Sequence, residues 1–351
     1  MSSNMRVLRG VPEAIPLLAQ LVDRVMRPYT LAGEGMAKRF PLLFQENNAH
    51  NLFYIAKQGI PVSMAAVWRG EVATSGLVIP VASIGSVATL KEFRGQGLAS
   101  RILQHIWTQL MHQGVPVVQI SGNRDLYHRL GAEPVGDFLR ARGHIQAQAA
   151  WPVKKLTNGD SVVEELAKIY RSEAVRYERT RDDMRQLLAG LSYPRRNTRH
   201  SLFVAQQGRR LVAYAVVGVS DRWEGARTME WAGSRSAVLS ILQYAASHYG
   251  VPSVELVIGP SDYPMRKMAA AAGLVTEPTL NLGTMAVVDR SALIRTLEPW
   301  IAQRWGVEHR TADIWQQINQ FAAKPGEFAQ WVFSAQGMAL PWPYAGGLNY
   351  V

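Results

Sequence analysis

The fold of the first half of this chain is decided by Val87-Ala-Thr-Leu-Lys-Glu-Phe-Arg94-Gly-Gln-Gly97-Leu-Ala99-Ser100. A segment that favours a β-strand runs into a short loop with two glycines, and an amphipathic segment from Leu98 to Gln113 follows at once. Glycines let the backbone approach an anion closely, and the free N–H groups of a helix's first turn point towards it. Because Arg94 adds charge-assisted donors, the order of strand, glycine loop and helix predicts a site for a nucleotide-like pyrophosphate.

Two other phosphate-binding loops fit this stretch less well. A dinucleotide-binding fingerprint needs glycine at the position of Arg94 and an acidic residue about 20 positions on, but residues 112–118 contain no acid. A Walker A loop needs Lys-Ser or Lys-Thr directly after its last glycine, whereas Leu98 follows Gly97. Both alternatives are therefore excluded.

The spacing Arg94-x-x-Gly97-x-Ala99 resembles the Arg/Gln-x-x-Gly-x-Gly/Ala signature of the GCN5-related N-acetyltransferase (GNAT) superfamily. Upstream, Ser86-Val-Ala-Thr89 is similar to the family's strand that pairs with the pantetheine arm of acetyl-CoA, and downstream, Gly114–Ser121 resembles the next strand. Then Leu126-Tyr-His-Arg-Leu-Gly-Ala132 resembles the family's Tyr-x-x-x-Gly-Phe motif. The resemblance covers residues 5–145.

This resemblance implies a reaction and the residues that carry it. The reaction would move an acetyl group from acetyl-CoA to a primary amine, of a small molecule or a peptide, by direct attack in a ternary complex and without a metal. Tyr127 matches the family position that acts as general acid. The residues expected to bind acetyl-CoA are Val87, Ala88, Thr89, Arg94, Gly95, Gln96, Gly97, Leu98, Ala99 and Ser100.

The chain then repeats itself. Residues 236–252 echo residues 99–116, each copy ending in Gly-Val-Pro before a β-rich run, and residues 202–217 resemble the earlier hairpin at 52–67. We therefore expect an α/β (α+β) chain of two tandem GNAT folds, each with a mixed, mostly antiparallel twisted sheet flanked by helices. The expected domains are residues 1–147, residues 148–290 with a leading helical linker, and residues 291–351, a short helical segment and apolar tail.

The second copy does not keep the glycine loop. At the same offset Glu230 replaces Arg94 and Arg235 replaces Ala99. A carboxylate at such a site would repel phosphate, and a long side chain would fill the position of close approach. We expect this copy to be degenerate and to support the first. In the linker before it, the apolar spacing predicts a helix over residues 161–178.

The general base is not fixed by the GNAT motifs. Glu92 is expected to be a solvated loop acid, and His128, on a helix, would point away from the neighbouring Tyr127. Two GNAT-like copies followed by a C-terminal segment resemble the enhanced intracellular survival family of tandem acetyltransferases. In that family the C-terminal carboxylate reaches the active site of the first copy and serves as base. The resemblance therefore implies that the carboxylate of Val351 is the base in this chain.

The composition limits the other classes of protein to which the chain could belong. The 351 residues are 48% hydrophobic and 19% charged, which is typical of a globular protein. The net charge of +11 is spread along the chain without a run of five basic residues, so nucleic-acid binding is not favoured. No apolar run is long enough to span a membrane.

The chain contains no cysteine, which excludes disulfides, Cys-based zinc sites and thiolate nucleophiles. Since the N-terminus has no signal-type apolar stretch, we expect a cytoplasmic protein, and a homo-oligomer stays open. The alternative to an enzyme is a non-catalytic module that binds CoA or another ligand and serves regulation or partner binding.

Overall fold

A computed structural model describes residues 6–27, 35–146, 150–157, 159–191, 198–305, 316, 320–321 and 324–349. Its strands are β1 (Leu8–Arg9), β2 (Leu52–Lys57), β3 (Ile60–Thr74), β4 (Leu77–Thr89), β5 (Val117–Ile120), β6 (Phe138–Gly143), β7 (Val153–Leu156), β8 (Arg176–Tyr177), β9 (Thr198–Gln207), β10 (Arg210–Ser220), β11 (Gly225–Gly233), β12 (Ser253–Ile258), β13 (Val275–Thr279) and β14 (Thr284–Val287). Its helices are α1 (Ile15–Met26), α2 (Met36–Arg39), α3 (Leu98–His112), α4 (Asp125–His128), α5 (Val163–Arg171), α6 (Arg181–Gly190), α7 (Arg235–Tyr249), α8 (Tyr263–Ala271), α9 (Arg290–Trp305) and α10 (Pro325–Phe333). Short 3-10 helices cover Pro12–Ala14, Glu46–Asn51, Lys91–Phe93 and Asp160–Val162.

The strands form two seven-stranded sheets. The first has the order β1-β2-β3-β4-β5-β14, with β8 paired to β3, and the second has the order β13-β6-β12-β11-β10-β9-β7. The pairs β4–β5 and β11–β12 are parallel, and the other pairs are antiparallel. The predicted fold class is confirmed: two mixed, mostly antiparallel sheets with flanking helices.

The second copy repeats the element order of the first from its start. Apart from β8, which lies between α5 and α6, the second copy runs β7, α5, α6, β9, β10, β11, α7, β12, α8, and this matches β1, α1, α2, β2, β3, β4, α3, β5, α4 of the first copy. The helices that we expected in a linker, α5 and α6, therefore correspond to α1 and α2 of the first copy. The helix expected over 161–178 was predicted too long, because it ends at Arg171 and β8 then pairs with Val72 and Ala73 of the first sheet.

The two halves of the chain exchange a strand. β6, from the first half, lies between β12 and β13 in the second sheet, with Ile258 opposite Leu139 and Val275 opposite Arg142. In return β14, from the second half, pairs with β5 in the first sheet. Each sheet is therefore completed by hydrogen bonds to the other half of the chain, across the position where the sequence suggested a boundary after residue 147.

Helix α3 explains the conformation of the glycine loop at residues 94–97. It begins directly after Gly97, whose φ of +71° suits glycine, and the chain leaves it at Gly114, with φ of +66°. The side chains on its buried face recur at helical spacing: Leu98, Ile102, Leu103, Ile106 and Leu110. Each such burial stabilises the fold by about 1.5–3 kcal/mol, which fixes the loop before the helix against the first sheet.

The buried apolar side chains form two clusters. The larger joins both faces of the first sheet to one face of the second and to the C-terminal segment. The smaller lies between the other face of the second sheet and helices α7 and α8. Among the described residues, no helix is both long and apolar enough to cross a bilayer.

Candidate active site

Strand β4 carries a β-bulge next to the deciding loop. Met64 of β3 lies opposite Ala88 and Ala66 opposite Gly85, so that Ser86 and Val87 together oppose a single residue. Ser86 accommodates the extra residue with a φ of +53°. Bulges bend a strand and are common beside active sites.

Beyond the bulge, β4 and β5 diverge. The two strands pair from Val81 to Ile84 only, and the last contact is the N–H of Ser121 donating to the Ile84 carbonyl at 3.2 Å. In the described part of the chain no strand pairs with this edge of residues 85–89. Apart from the Thr89 carbonyl, which accepts from the Arg94 Nε at 3.2 Å, their backbone groups on that edge have no strand partner and can pair with a ligand that enters between the two strands.

The glycine loop and the start of α3 form a second wall. Gly95 and Gly97 have φ of +76° and +71°, and a Cβ added to either would meet nothing within 4 Å. Inside α3 the first helical bond runs from the Arg101 N–H to the Gly97 carbonyl. The N–H groups of the preceding turn thus have no helical acceptor, and they form an anion site at the positive end of the helix dipole.

A cavity of about 870 Å³ lies between these walls. Eight of the ten residues predicted to bind acetyl-CoA line it: Val87, Thr89, Arg94, Gly95, Gly97, Leu98, Ala99 and Ser100. The other two do not. Ala88 is buried in the core, and the side-chain amide of Gln96 donates to the Glu92 carbonyl at 3.5 Å.

Sequence reasoning missed three further arginines on this cavity. Arg27, Arg124 and Arg129 line it together with Arg94, and no carboxylate is among the described residues that do so. Such a positive wall attracts a polyanion. The signal lay in the Tyr127 motif, since Arg124 and Arg129 flank that tyrosine on both sides.

Tyr127 lies at the end of β5, on α4, between the two cavity arginines. Only 5% of it is exposed, and its ring packs on Gly122, where an added Cβ would stand 2.7 Å from Cε2 and 3.5 Å from the hydroxyl oxygen. The carbonyl of Tyr127 accepts from the N–H groups of Leu130 and Ala132. The ring is thus held beside Gly122, and Tyr127 itself is not among the residues that line the cavity.

The candidate bases near the motifs have other partners. Glu92 faces Arg24 at 3.4 Å on the surface. His128 bonds the side-chain oxygen of Asn123 at 2.7 Å and lies 3.2 Å from a Glu133 carboxylate oxygen. Val351 lies outside the described residues.

The C-terminal segment packs on the body of the protein up to the last described residues. The N–H of Leu348 donates to Glu230 at 3.1 Å, and the side-chain oxygen of Asn349 accepts from Arg179 at 2.5 Å. Arg179 and Glu230 form a buried two-pronged ion pair with N–O distances of 2.8 and 2.7 Å. The segment is therefore anchored by a buried polar network between the two sheets.

The second copy differs from the expectation at this point. We expected Glu230 to take the place of Arg94, but it is buried in the network above and does not reach α7. The constant offset fails because eight residues, 90–97, join β4 to α3, whereas only Ser234 joins β11 to α7. The loop is missing altogether.

A carboxylate of the chain itself fills the anion position of the second copy. Glu173 accepts from the Gly233 N–H at 2.7 Å and from two nitrogens of Arg235 at 2.8 and 2.7 Å. Arg235 also binds Asp262 at 2.8 Å. Glu173 therefore occupies the first turn of α7, where a phosphate would bind, and the degeneracy of this copy stays a prediction.

Among known protein families, the match concerns the first copy. Residues 12–135 match the model of the acetyltransferase (GNAT) domain family. The first copy therefore matches the GNAT domain family, and the chain as a whole has a tandem GNAT fold. None of the curated protein sequences compared matches it significantly.

Solved structures share the tandem GNAT fold over most of the chain. A probable N-acyltransferase from Enterococcus faecalis V583 is 16% identical with a TM-score of 0.62, covering 84% of this chain and 74% of its own. A GCN5-related N-acetyltransferase from Anabaena variabilis ATCC 29413 is 16% identical with a TM-score of 0.62, covering 82% and 74%. Eis1 from Mycobacterium abscessus is 16% identical with a TM-score of 0.57, covering 83% and 75%. At this identity the likeness shows the fold alone.

Proposed function

We propose that the first copy of this tandem GNAT protein transfers an acetyl group from acetyl-CoA to a primary amine. The observation that carries the proposal is the 870 Å³ cavity, in which a bulged strand edge, an open glycine loop and four arginines face one another. A ligand with a phosphate-rich end and a long polar arm fits this combination. The acceptor would be an amine of a small molecule or a peptide, and no metal takes part.

In this proposal, the two ends of the cavity bind the two ends of acetyl-CoA. The pyrophosphate would be held by Arg94 and by the N–H groups from Gly95 to Ser100. The pantetheine arm would extend along the free edge of β4 at Val87 and Thr89, adding to the sheet as a strand does. This placement would bring the thioester to the point where β4 and β5 diverge.

The chemical step would require three contributions from the chain. The neutral amine attacks the thioester carbon, and a backbone N–H of the bulged strand stabilises the oxyanion. The base removes a proton from the amine nitrogen, a role that we assign to the C-terminal carboxylate of Val351. As the C–S bond breaks, Tyr127 donates its phenolic proton to the sulfur. The products are an amide and CoA.

A transfer assay tests this function. Release of the CoA thiol is followed with acetyl-CoA and a panel of aminoglycosides, polyamines, amino acids and peptides. We expect turnover with at least one amine class, and a kcat about 10²-fold lower in Tyr127→Phe, because loss of a general acid costs this much or more. Arg94→Glu should abolish turnover at any practical acetyl-CoA concentration.

A matched variant controls for the charge change. Arg69 is an exposed arginine of β3 that does not line the cavity, so Arg69→Glu should keep the wild-type rate. Acetyl-CoA binding without transfer to any amine would instead favour the non-catalytic, ligand-binding alternative. A Tyr127→Phe variant with the wild-type kcat would remove that residue from the mechanism.

A further inference from the structure

A second cavity lies in the degenerate copy. Its volume is about 510 Å³, within the range of small-molecule sites. It occupies the place where β11 and β12 diverge, since these strands pair only from Gly225 to Arg227 with Ser253 to Glu255. It is therefore the counterpart, in the second sheet, of the site between β4 and β5.

Aromatic side chains and the C-terminal segment enclose this cavity. The aromatic residues that line it are Phe138, Tyr170, Tyr177, Trp231, Trp342 and Tyr344. Trp342 is only 3% exposed, and its indole N–H has no hydrogen-bond partner within the described structure. Buried donors are normally paired, so this N–H is a reason to look for a ligand that brings an acceptor.

The second cavity differs from the first in the sign of its net charge. Its charged residues are Glu173, Arg179, Glu230, Arg235 and Asp262. Arg179 and Glu230 neutralise each other, and Arg235 is shared by two carboxylates, which leaves a net charge of −1. A cationic ligand is therefore favoured, and aromatic walls add attraction for an ammonium group and for a flat ring.

We propose that the second cavity binds a small aromatic primary amine that is not acetylated there. Binding without acetylation follows from the contacts of Glu173, whose carboxylate fills the anion position that the cofactor would need. The ring would lie among the aromatic side chains, with its ammonium group towards the carboxylates and an acceptor for the Trp342 N–H. The inference goes beyond the transfer reaction and assigns the degenerate copy a binding role.

Calorimetric titration of the full chain in the absence of acetyl-CoA tests this site. The probes are 5-methoxytryptamine, which offers a ring, an acceptor and an ammonium group, and 5-methoxyindole-3-acetate, which replaces the ammonium with a carboxylate. We expect one site per chain for the amine and binding at least about tenfold weaker for the acid. Absence of amine binding, or equal binding of the two probes, would overturn the proposal.

Two variants test whether the amine binds in the second cavity. Trp342→Phe keeps a ring but removes the N–H donor and should weaken amine binding about fivefold. Because that change touches the core, Ser261→Trp serves as a second variant: Ser261 is exposed at the cavity rim, so a large side chain there should block entry without loss of buried contacts. Amine binding that persists in both variants would contradict the assignment.

Arg94→Glu separates this inference from the transfer reaction. That variant disrupts the first cavity and should leave amine binding unchanged, whether or not the first copy proves to be an acetyltransferase. If instead Arg94→Glu abolishes amine binding while Trp342→Phe does not, the amine belongs to the first cavity and the inference is wrong.

Discussion

Replacing Glu230 by glutamine leaves a buried guanidinium without its counter-charge. In the wild type the carboxylate accepts two hydrogen bonds from Arg179, at 2.8 and 2.7 Å, one from the Tyr214 hydroxyl at 2.8 Å and one from the Leu348 N–H at 3.1 Å. The Arg179 side chain is only 2% exposed and the Glu230 side chain 8%. Bulk water therefore screens the unpaired charge only weakly.

The expected loss in the free energy of unfolding is about 3–5 kcal/mol, the usual cost of removing one partner of a buried ion pair. Urea denaturation at pH 7 measures it. Glu178→Gln is the matched control, because the Arg176–Glu178 pair is partly exposed and should contribute about 1 kcal/mol or less. The double variant Arg179→Met/Glu230→Leu should recover part of the loss, since it removes the unpaired charge, while the Tyr214 hydroxyl and the Leu348 N–H still lack their acceptor.

The same pair makes a prediction about pH. Burial opposes ionisation of Glu230, but the charge of Arg179 and the hydrogen bonds from Arg179, Tyr214 and Leu348 outweigh it and lower the pKa of this carboxyl. A carboxyl whose pKa is lower in the folded state stabilises the protein above the unfolded pKa of about 4.3. The stability advantage over Glu230→Gln should therefore be constant above that pH and fall as the pH drops through the folded-state pKa. A loss below about 1 kcal/mol at pH 7, or a double variant as unstable as the single one, would refute the reasoning.

Three further predictions concern the glycine loop, the degenerate copy and the exchanged strands. Gly97→Ala and Gly114→Ala both place alanine at a positive φ in open space, so each variant should lose about 1–2 kcal/mol in its free energy of unfolding, measured in urea. Calorimetry should show weaker acetyl-CoA binding for Gly97→Ala only. Equal affinities of the two variants would mean that the glycine loop does not bind the cofactor. Glu173→Gln should lower the free energy of unfolding by about 1–2 kcal/mol through lost charge-assisted hydrogen bonds, and it should create no second acetyl-CoA site, because the second copy has no loop to form one. Residues 1–147 expressed alone should show no cooperative thermal transition by circular dichroism, since β5 would lack β14 and β6 would lack both its neighbours; a sharp transition would mean that the first sheet is stable without the exchanged strand.

The sequence predicted local features well. The glycine loop, α3 and the strands before and after it follow from residue types within about 35 positions, and eight of ten predicted cavity residues lie together. The bulge was missed, because Ser86 gives no sign in the sequence of its positive φ. Arg27 was missed since only tertiary folding brings the end of α1 to the loop.

Non-local pairing accounts for the other differences. Nothing in residues 138–143 or 284–287 indicates which sheet they join, because either sheet offers an edge to a short strand. The helix expected over 161–178 was too long for a related reason: pairing of Arg176 and Tyr177 with β3 outweighs the helical pattern. The hydrogen bond from the Gly233 N–H to Glu173 was not predicted for the same reason, because residue 173 was expected to lie inside that helix.

Calorimetric titration of acetyl-CoA into the wild type, Arg94→Glu and Arg69→Glu tests the central claim most directly. We predict one site per chain in the wild type and in Arg69→Glu, and no measurable binding to Arg94→Glu. Absence of binding to the wild type, undiminished binding to Arg94→Glu, or two sites per chain would contradict the assignment of the cofactor to the first copy.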